Sequence, residues 1–279
     1  MRLSKIGGLL PAQVRPLARR PLVRYRFRGL QPTDAVLVSY PKSGSTWLRF
    51  LMAQAMTGHE VDYDAIRDTM PPVGRHRRAP SLLPTGGRVA RTHEPMQPWR
   101  GKPEQPVIYL VRDGRDVCMS YFNHVRRQGQ VWELPAFAEA FIVGGVDGYG
   151  PWHEHARAGL EAARATPASM LVLRYEELRA DPVVHLGNVL SFLGIDTPAR
   201  DLEEVVAANQ AEHMRAKAAT SAFLSTRGGS GTQVTDSRPW GEALAPDLRR
   251  RFMDMCGAAL DAAGYSLADG GLRRPGPST

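Results

Sequence analysis

The sequence predicts an α/β fold, a single domain in which helices flank a central parallel sheet, and three observations predict it. Short apolar, β-rich runs alternate along the chain with longer helical patterns. The first of these runs breaks at Pro41 and turns through Gly44 straight into an amphipathic helix, the junction of a strand–helix unit. The 279 residues, 43% of them apolar, suffice to bury one large core. In order, strands are expected at residues 35–39, 88–92, 107–111 and 170–175. Helices are expected at 45–57, 114–127, 152–165, 182–193, 199–216 and 246–263. Asp181 supplies the N-cap and Gly194 the stop of the 182–193 helix. Residues 58–87, with Pro71-Pro72 and His76-Arg77-Arg78, and residues 217–241 read as loops that wall a pocket. Ligands of such sheets bind beyond the carboxyl ends of the strands. The turn at Lys42 sits at such an end.

Composition narrows the function classes. The net charge is +8, and the first thirty residues hold Arg2, Lys5, Arg15, Arg19, Arg20, Arg24, Arg26 and Arg28 with no acid, so the rest of the chain is formally neutral. Residues 1–30 therefore read as a basic arm, either solvated or touching an anionic membrane surface. Residues 31–265 form the domain. Residues 266–279, rich in Gly and Pro toward the end, read as a disordered tail. The apolar run from Ile6 is too short for a signal peptide, and no run of about 18 apolar residues suggests a membrane span. The two cysteines, Cys118 and Cys256, match no metal spacing and no disulfide framework, which favours a reducing, cytoplasmic location. High Ala, Arg and Gly usage suggests a GC-rich bacterial source.

The junction itself reads Val36-Leu-Val-Ser-Tyr-Pro-Lys-Ser-Gly-Ser-Thr-Trp47. The first turn of a helix carries unpaired N–H groups and the positive end of the macrodipole, so an anionic phosphate or sulfate group satisfies both. Gly44 lets backbone come close, Ser43, Ser45 and Thr46 offer hydroxyls, and Lys42 adds a mobile charge. The lysine precedes the glycine, so this is not the nucleoside-triphosphate P-loop pattern. An ordinary capped helix start remains the bland alternative. On a second strand end, Arg112 precedes Ser120 by eight residues, and a loop between them brings guanidinium and hydroxyl onto one phosphate. Arg112 pairing with Asp113 or Asp116 is the alternative there, and Arg115 and Asp116 read as surface or helix-end pairs.

Taken together, these segments resemble the sulfotransferases that use 3'-phosphoadenosine 5'-phosphosulfate. Tyr40 to Trp47 is similar to their 5'-phosphosulfate loop, and Val107 to Phe122 to their 3'-phosphate segment. Arg227-Gly-Gly-Ser-Gly231 is similar to their late glycine loop, and Arg91-Thr-His93 stands where their catalytic histidine stands. The resemblance spans roughly residues 35–260. It implies a P-loop-like sulfotransferase fold and a single activity, transfer of a sulfuryl group from that nucleotide co-substrate to an acceptor hydroxyl. It gives His93 the part of base, Lys42 that of electrophilic helper, and Ser120 that of holding Lys42 back until substrate arrives. Donor binding falls to Lys42, Ser43, Gly44, Ser45, Thr46, Trp47, Arg112, Ser120, Tyr175, Arg227, Gly228 and Gly229, and no metal is required. Trp47 would stack on adenine and Tyr175 lie near its edge, with core packing and a structural hydroxyl as their alternatives. Departures are Arg91 and Gly228, where relatives often carry lysine, and Trp240, which follows the glycine loop late.

The chemistry fits the residues. Imidazole suits removal of a hydroxyl proton near neutrality, and a cation beside the leaving phosphate stabilises charge that grows in the transition state. Two other readings stand: a small-molecule or nucleotide kinase of P-loop type, and a non-catalytic nucleotide-binding or membrane-surface adaptor. The segments around 58–87 and 123–150 carry Arg75, His76, Arg77, Arg78, His124, Arg126 and Arg127, which favours a polar or anionic small-molecule or glycan acceptor such as a sugar, nucleoside or natural product over a steroid. Trp132, Phe137, Phe141, Tyr149 and Trp152 line a pocket or form core. Nothing suggests a nucleic-acid partner. The family's short dimerisation motif is not evident near the C-terminus, and oligomeric state stays open.

Overall fold

The strands expected from the sequence come together in one sheet, and the two central ones are apolar enough to be covered on both faces. In the computed structural model, residues 15–96, 104–221, 224 and 239–268 are described, with the backbone alone for 15–20. Strands β1 (Ala35–Ser39), β2 (Val89–Thr92), β3 (Val107–Val111) and β4 (Met170–Arg174) form a four-stranded sheet in the order β2-β1-β3-β4. Every pairing is parallel. Each residue of β1 and β3 is buried, as expected of strands with helices on both sides.

The α-helices of five residues or more are α1 (Arg15–Phe27), α2 (Ser45–Thr57), α3 (Ala65–Thr69), α4 (Gly114–Arg127), α5 (Leu134–Ile142), α6 (Trp152–Ala165), α7 (Tyr175–Ala180), α8 (Pro182–Phe192), α9 (Ala199–Ala208), α10 (Ala211–Thr220) and α11 (Pro246–Ala262). Side chains alternate across the sheet and so divide the core. Ala35, Leu37, Ile108 and Leu110 pack with α2, α8 and α9 on one face. Val36, Val38, Val107, Tyr109 and Val111 pack with α4, α5, α6 and α11 on the other. Asp181 caps α8 as expected, its side chain accepting from the Val184 N–H.

Four local differences from the sequence expectation have physical causes. Residues 15–27 are helical although Pro16 and Pro21 argue against it: Pro16 falls in the first turn, where a missing N–H costs nothing, and Val23 and Leu30 are buried against the core. The 123–150 stretch contains α5, whose Phe137, Ala138, Phe141 and Ile142 are core, so Phe137, Phe141 and Trp152 line no pocket. The strand at 170–175 ends one residue early, and Tyr175 opens α7. The 199–216 helix breaks at Asn209, a fully buried side chain whose amide donates to Gln54 Oε1 at 2.7 Å and to the Val205 carbonyl at 2.8 Å. The 58–87 segment is also less open than expected. Arg49, buried on α2, donates to the carbonyls of Ile66 and Met70 at 2.7 and 2.8 Å and ties α3 to the body of the fold.

One glycine shows how tightly the α6 side is packed. The Tyr109 ring lies against Gly159, where a Cβ would overlap it, and its hydroxyl donates to the His155 carbonyl at 3.0 Å. Gly159→Ala is therefore expected to cost about 1–3 kcal/mol by overpacking, read as a lower denaturation midpoint with unchanged far-ultraviolet dichroism.

Candidate active site

All four strands deliver candidate site residues at their carboxyl ends. Lys42 follows β1, His93 follows β2, Arg112 follows β3 and Tyr175 follows β4. The strand order makes this a meeting point: from β1 the chain crosses to β2 on one side, and β3 lies on the other, which leaves a crevice outside the strand ends.

The β1–α2 loop is bent into an anion cradle. Lys42 has φ 70°, the one left-handed non-glycine among the described residues, and Gly44 follows at φ 95°. Positive-φ residues this close together are a feature of the concave backbone nests that hold anions. The conformation costs Lys42 about 1–2 kcal/mol. Gly44 caps α2 with no side chain bonded to the first turn. It cannot be replaced, because a Cβ there would overlap the Tyr175 ring. Ser43 is fully buried, and its Oγ has no hydrogen-bond partner. A buried hydroxyl without a partner is costly, and a bound oxyanion would relieve it. Ser45 is buried and Thr46 partly so, in the first turn.

The second loop grips the first. Arg112 Nη1 donates to the Lys42 carbonyl at 3.3 Å, its guanidinium lies 4.6 Å from the Tyr175 ring centre, and its Nε is buried without a partner. Its contact with the exposed Asp116 is long, 3.5 Å, and of little energetic weight. Arg115 makes a helix-end pair, one of the two expectations, but a buried one rather than a surface one: it forks onto the N-cap Asp113 at 2.7 and 2.9 Å while donating to the Ser266 carbonyl at 2.7 Å. Glu176 accepts from the Asp113 N–H at 3.1 Å and from the Tyr265 hydroxyl at 2.8 Å. These partners, distant in sequence, hold the start of α4 rigid beneath Arg112. Ser120 lies further along α4, partly exposed, with no hydrogen bond to Lys42. Trp47 donates to the Asn209 carbonyl at 2.9 Å and meets the Tyr175 ring edge-on at 6.3 Å, leaving part of its surface open. Arg227, Gly228 and Gly229 lie outside the described residues.

His93 is oriented like a base. Its Nδ1 donates to the Ser39 carbonyl at 2.8 Å, which leaves the Nε2 lone pair to accept, and Arg91 Nη1 stands 3.3 Å from Nε2. Tyr149 packs edge-on against the ring at 5.8 Å. Burial first, then the Arg91 charge, pulls the imidazole down to about 3, so it is neutral at physiological pH. Burial, with Arg127 and Arg112 repelling it, likewise brings the Lys42 ammonium down to about 8. His124 is held down to about 4 by burial and by Lys42 and Arg127. No group of three or more His, Cys, Asp or Glu is arranged to hold a metal among the described residues.

Residues 32–264 match the sulfotransferase domain family. This chain belongs to that family. Sulfotransferase 1B1 of Mus musculus is 29% identical over 206 residues, which cover 66% of this chain and 66% of the relative. Cytosolic sulfotransferase 1 of Danio rerio is 27% identical over 209 residues, covering 66% of this chain and 67% of that one. The fold is that of a mouse sulfotransferase, SULT7A1, solved in complex with PAP: TM-score 0.66, 24% identity, 90% of this chain and 91% of the other. A retinol dehydratase solved with androsterone and inactive cofactor PAP superposes at TM-score 0.70 with 18% identity, covering 94% of this chain and 88% of that one.

Within this sulfotransferase the sequence reading missed the supporting groups, Arg115, Glu176, Asn209 and Tyr265. Only Asn209 left a trace in the sequence, as a polar break inside an otherwise helical pattern. The lowered Lys42 value gives a direct check. A lysine with its pKa lowered keeps its charge below about pH 7 and loses it as pH rises through about 8. Magnetic-resonance titration of the substrate-free protein is expected to show that midpoint, and Arg127→Gln to move it upward by removing a repelling charge; a midpoint near the ordinary lysine value of 10.5 would contradict the buried placement.

Proposed function

We propose that this protein transfers a sulfuryl group from 3'-phosphoadenosine 5'-phosphosulfate to the hydroxyl of a small-molecule or glycan acceptor. The observation that carries the reading is the convergence of a curled, cation-lined loop at Lys42 and a tautomer-fixed His93 on one crevice. The donor fits this site on physical grounds: the orphaned Ser43 hydroxyl, the orphaned Arg112 Nε and the uncapped start of α2 all seek an oxyanion. Ser43 through Thr46 would hold the 5' end, Arg112 and Ser120 the 3'-phosphate, and Trp47 and Tyr175 the base. The nucleotide supplies the activated sulfuryl group, and no metal enters.

His93 Nε2 takes the hydroxyl proton as the acceptor's O–S bond forms and the bond from sulfur to the phosphate oxygen breaks. Arg91 must yield that lone pair when the hydroxyl arrives. Its withdrawal, and the negative charge brought by the donor, both raise the proton affinity of a ring that is weakly basic beforehand. Lys42, charged at neutral pH, stabilises the oxygen left on the phosphate, where the benefit is greatest at the transition state.

We further propose a cytoplasmic enzyme, supported by two unpaired buried cysteines, with a catalytic domain over residues 31–265 and a basic arm over 1–30 suited to an anionic membrane surface. No helix among the described residues is long and apolar enough to cross a membrane.

Calorimetric titration with adenosine 3',5'-bisphosphate, PAP, tests the donor site: Arg112→Ala is expected to weaken binding by about tenfold or more, and no binding to folded wild type would sink the reading. His93→Asn is expected to lower turnover about 100-fold or more while PAP affinity stays within about twofold. Ser120→Ala is expected to raise donor hydrolysis without acceptor, measured as PAP release; an unchanged rate would remove the restraining role from Ser120.

A further inference from the structure

Positive charge around the transfer point exceeds what the donor site uses. Arg91, from β2, stands beside His93 Nε2, so any hydroxyl approaching that atom arrives next to its guanidinium. Arg91 Nε is buried without a hydrogen-bond partner, and no carboxylate pairs with the side chain among the described residues. Arg127 comes from a different element. Ser120, His124 and Arg127 recur at four and then three residues along α4 and share one face. Seven residues at 1.5 Å rise carry Arg127 about 10 Å along the axis beyond Ser120, away from the phosphate that Ser120 and Arg112 would hold. Its guanidinium, half-buried at the end of α4, is one of the two charges that hold the Lys42 ammonium down. Its Nε too is buried and unpartnered.

The nearby carboxylates are engaged elsewhere. Asp147 contacts the Tyr121 hydroxyl and accepts from the Tyr149 N–H at 2.7 Å, and Glu94 faces Arg26 at 3.7 Å. Half-buried guanidinium groups without a counter-charge are unfavourable until a ligand brings one. From these unpaired guanidinium groups we propose that the acceptor is an anion, a hydroxyl compound whose carboxylate, phosphate or sulfate group is held by Arg91 beside His93, with Arg127 from α4 as the second guanidinium. Two forked guanidinium groups suit such oxyanions, and a lysine in place of Arg91 would give a point charge without the fork. The inference rests on the donor-site reading above and sharpens its acceptor.

The test uses PAP-saturated full-length protein and matched pairs titrated by calorimetry: 3- and 4-hydroxybenzoate against the corresponding hydroxybenzamides, and glucose 6-phosphate against glucose. The anionic member is expected to bind about tenfold tighter or more in each pair that binds. Arg127→Gln and Arg91→Gln are each expected to remove most of that preference, and Arg127→Lys to retain more of it than Arg127→Gln. PAP affinity should stay within about twofold in Arg127→Gln, with an unchanged denaturation midpoint showing that the variant is folded. Neutral members binding as well as anionic ones, or no anionic member binding to PAP-saturated wild type, would overturn the inference and leave the donor reading intact. A tenfold loss of PAP affinity in Arg127→Gln would assign that arginine to the donor and overturn it as well. Wild type that fails to bind PAP would strike the donor reading itself, and this inference with it.

Discussion

Parallel pairing of β1 with β3, Val36 against Val107 through Ser39 against Leu110, brings two strand ends to one level while the chain leaves them toward opposite edges of the sheet. The crevice between those departing paths is the only part of the site that packing creates by itself; everything else is hung on its rim. Lys42 and Arg112 hang on adjacent rims, and the hydrogen bond from Arg112 to the Lys42 carbonyl fixes their separation. His93 reaches the same place because β2 pairs with β1 in parallel, Val38 opposite Thr92, so the next residue on each chain emerges at the same height. The Ser39 carbonyl that fixes the His93 tautomer is thus a consequence of strand register.

Charge at the rim is balanced by geometry rather than by acids. Arg112 and Arg127 both act on Lys42, Arg91 stands beside His93, and the acidic groups Asp113 and Glu176 serve structure instead. Asp113 is spent on Arg115, and burial raises the Glu176 carboxyl even as the Asp113 N–H and the Tyr265 hydroxyl bind it. Separating acids beneath the loops from cations above them keeps the positive potential intact where an anion must enter. The same separation explains why Lys42 and His93 are both pulled down: each loses water and gains like-charged neighbours without a carboxylate in compensation.

Much of this was legible in the sequence, for identifiable reasons. Strands with no polar interruption, such as Val107 to Val111, and turns with unambiguous chemistry, such as Asp181 before Pro182, declare themselves locally. The site residues at strand ends were legible for the same reason, since a strand boundary fixes where the chain must turn. What escaped depends on contacts between distant segments. Arg115 looks like a surface residue until Ser266 is known to lie beside it, 151 residues on. The break at Asn209 follows from Gln54 and Trp47 rather than from helix propensity. Helix α5 was missed although Phe137, Ala138, Phe141 and Ile142 recur at helical spacing, because nine residues make a short pattern. The proline-containing α1 forms through burial of Val23 against the rest of the core, a term that local propensity does not hold.

The contacts of Tyr265 with Glu176 and of Arg115 with Ser266 have a temporal side. Ribosomal synthesis delivers β1, α2, β2, β3 and α4 within the first 127 residues, all the strand ends but one, yet the buried charges under the Arg112 loop find their last partners near residue 266. A nascent chain shorter than that carries Asp113, Arg115 and Glu176 in a half-satisfied cluster. Synthesis through residue 266 is what seats the Arg112 side of the crevice, so that rim is finished only after α11 has left the exit tunnel and docked. A stop codon a few residues before Tyr265 would spare Lys42, His93 and Arg112 and still release the floor on which Arg112 stands.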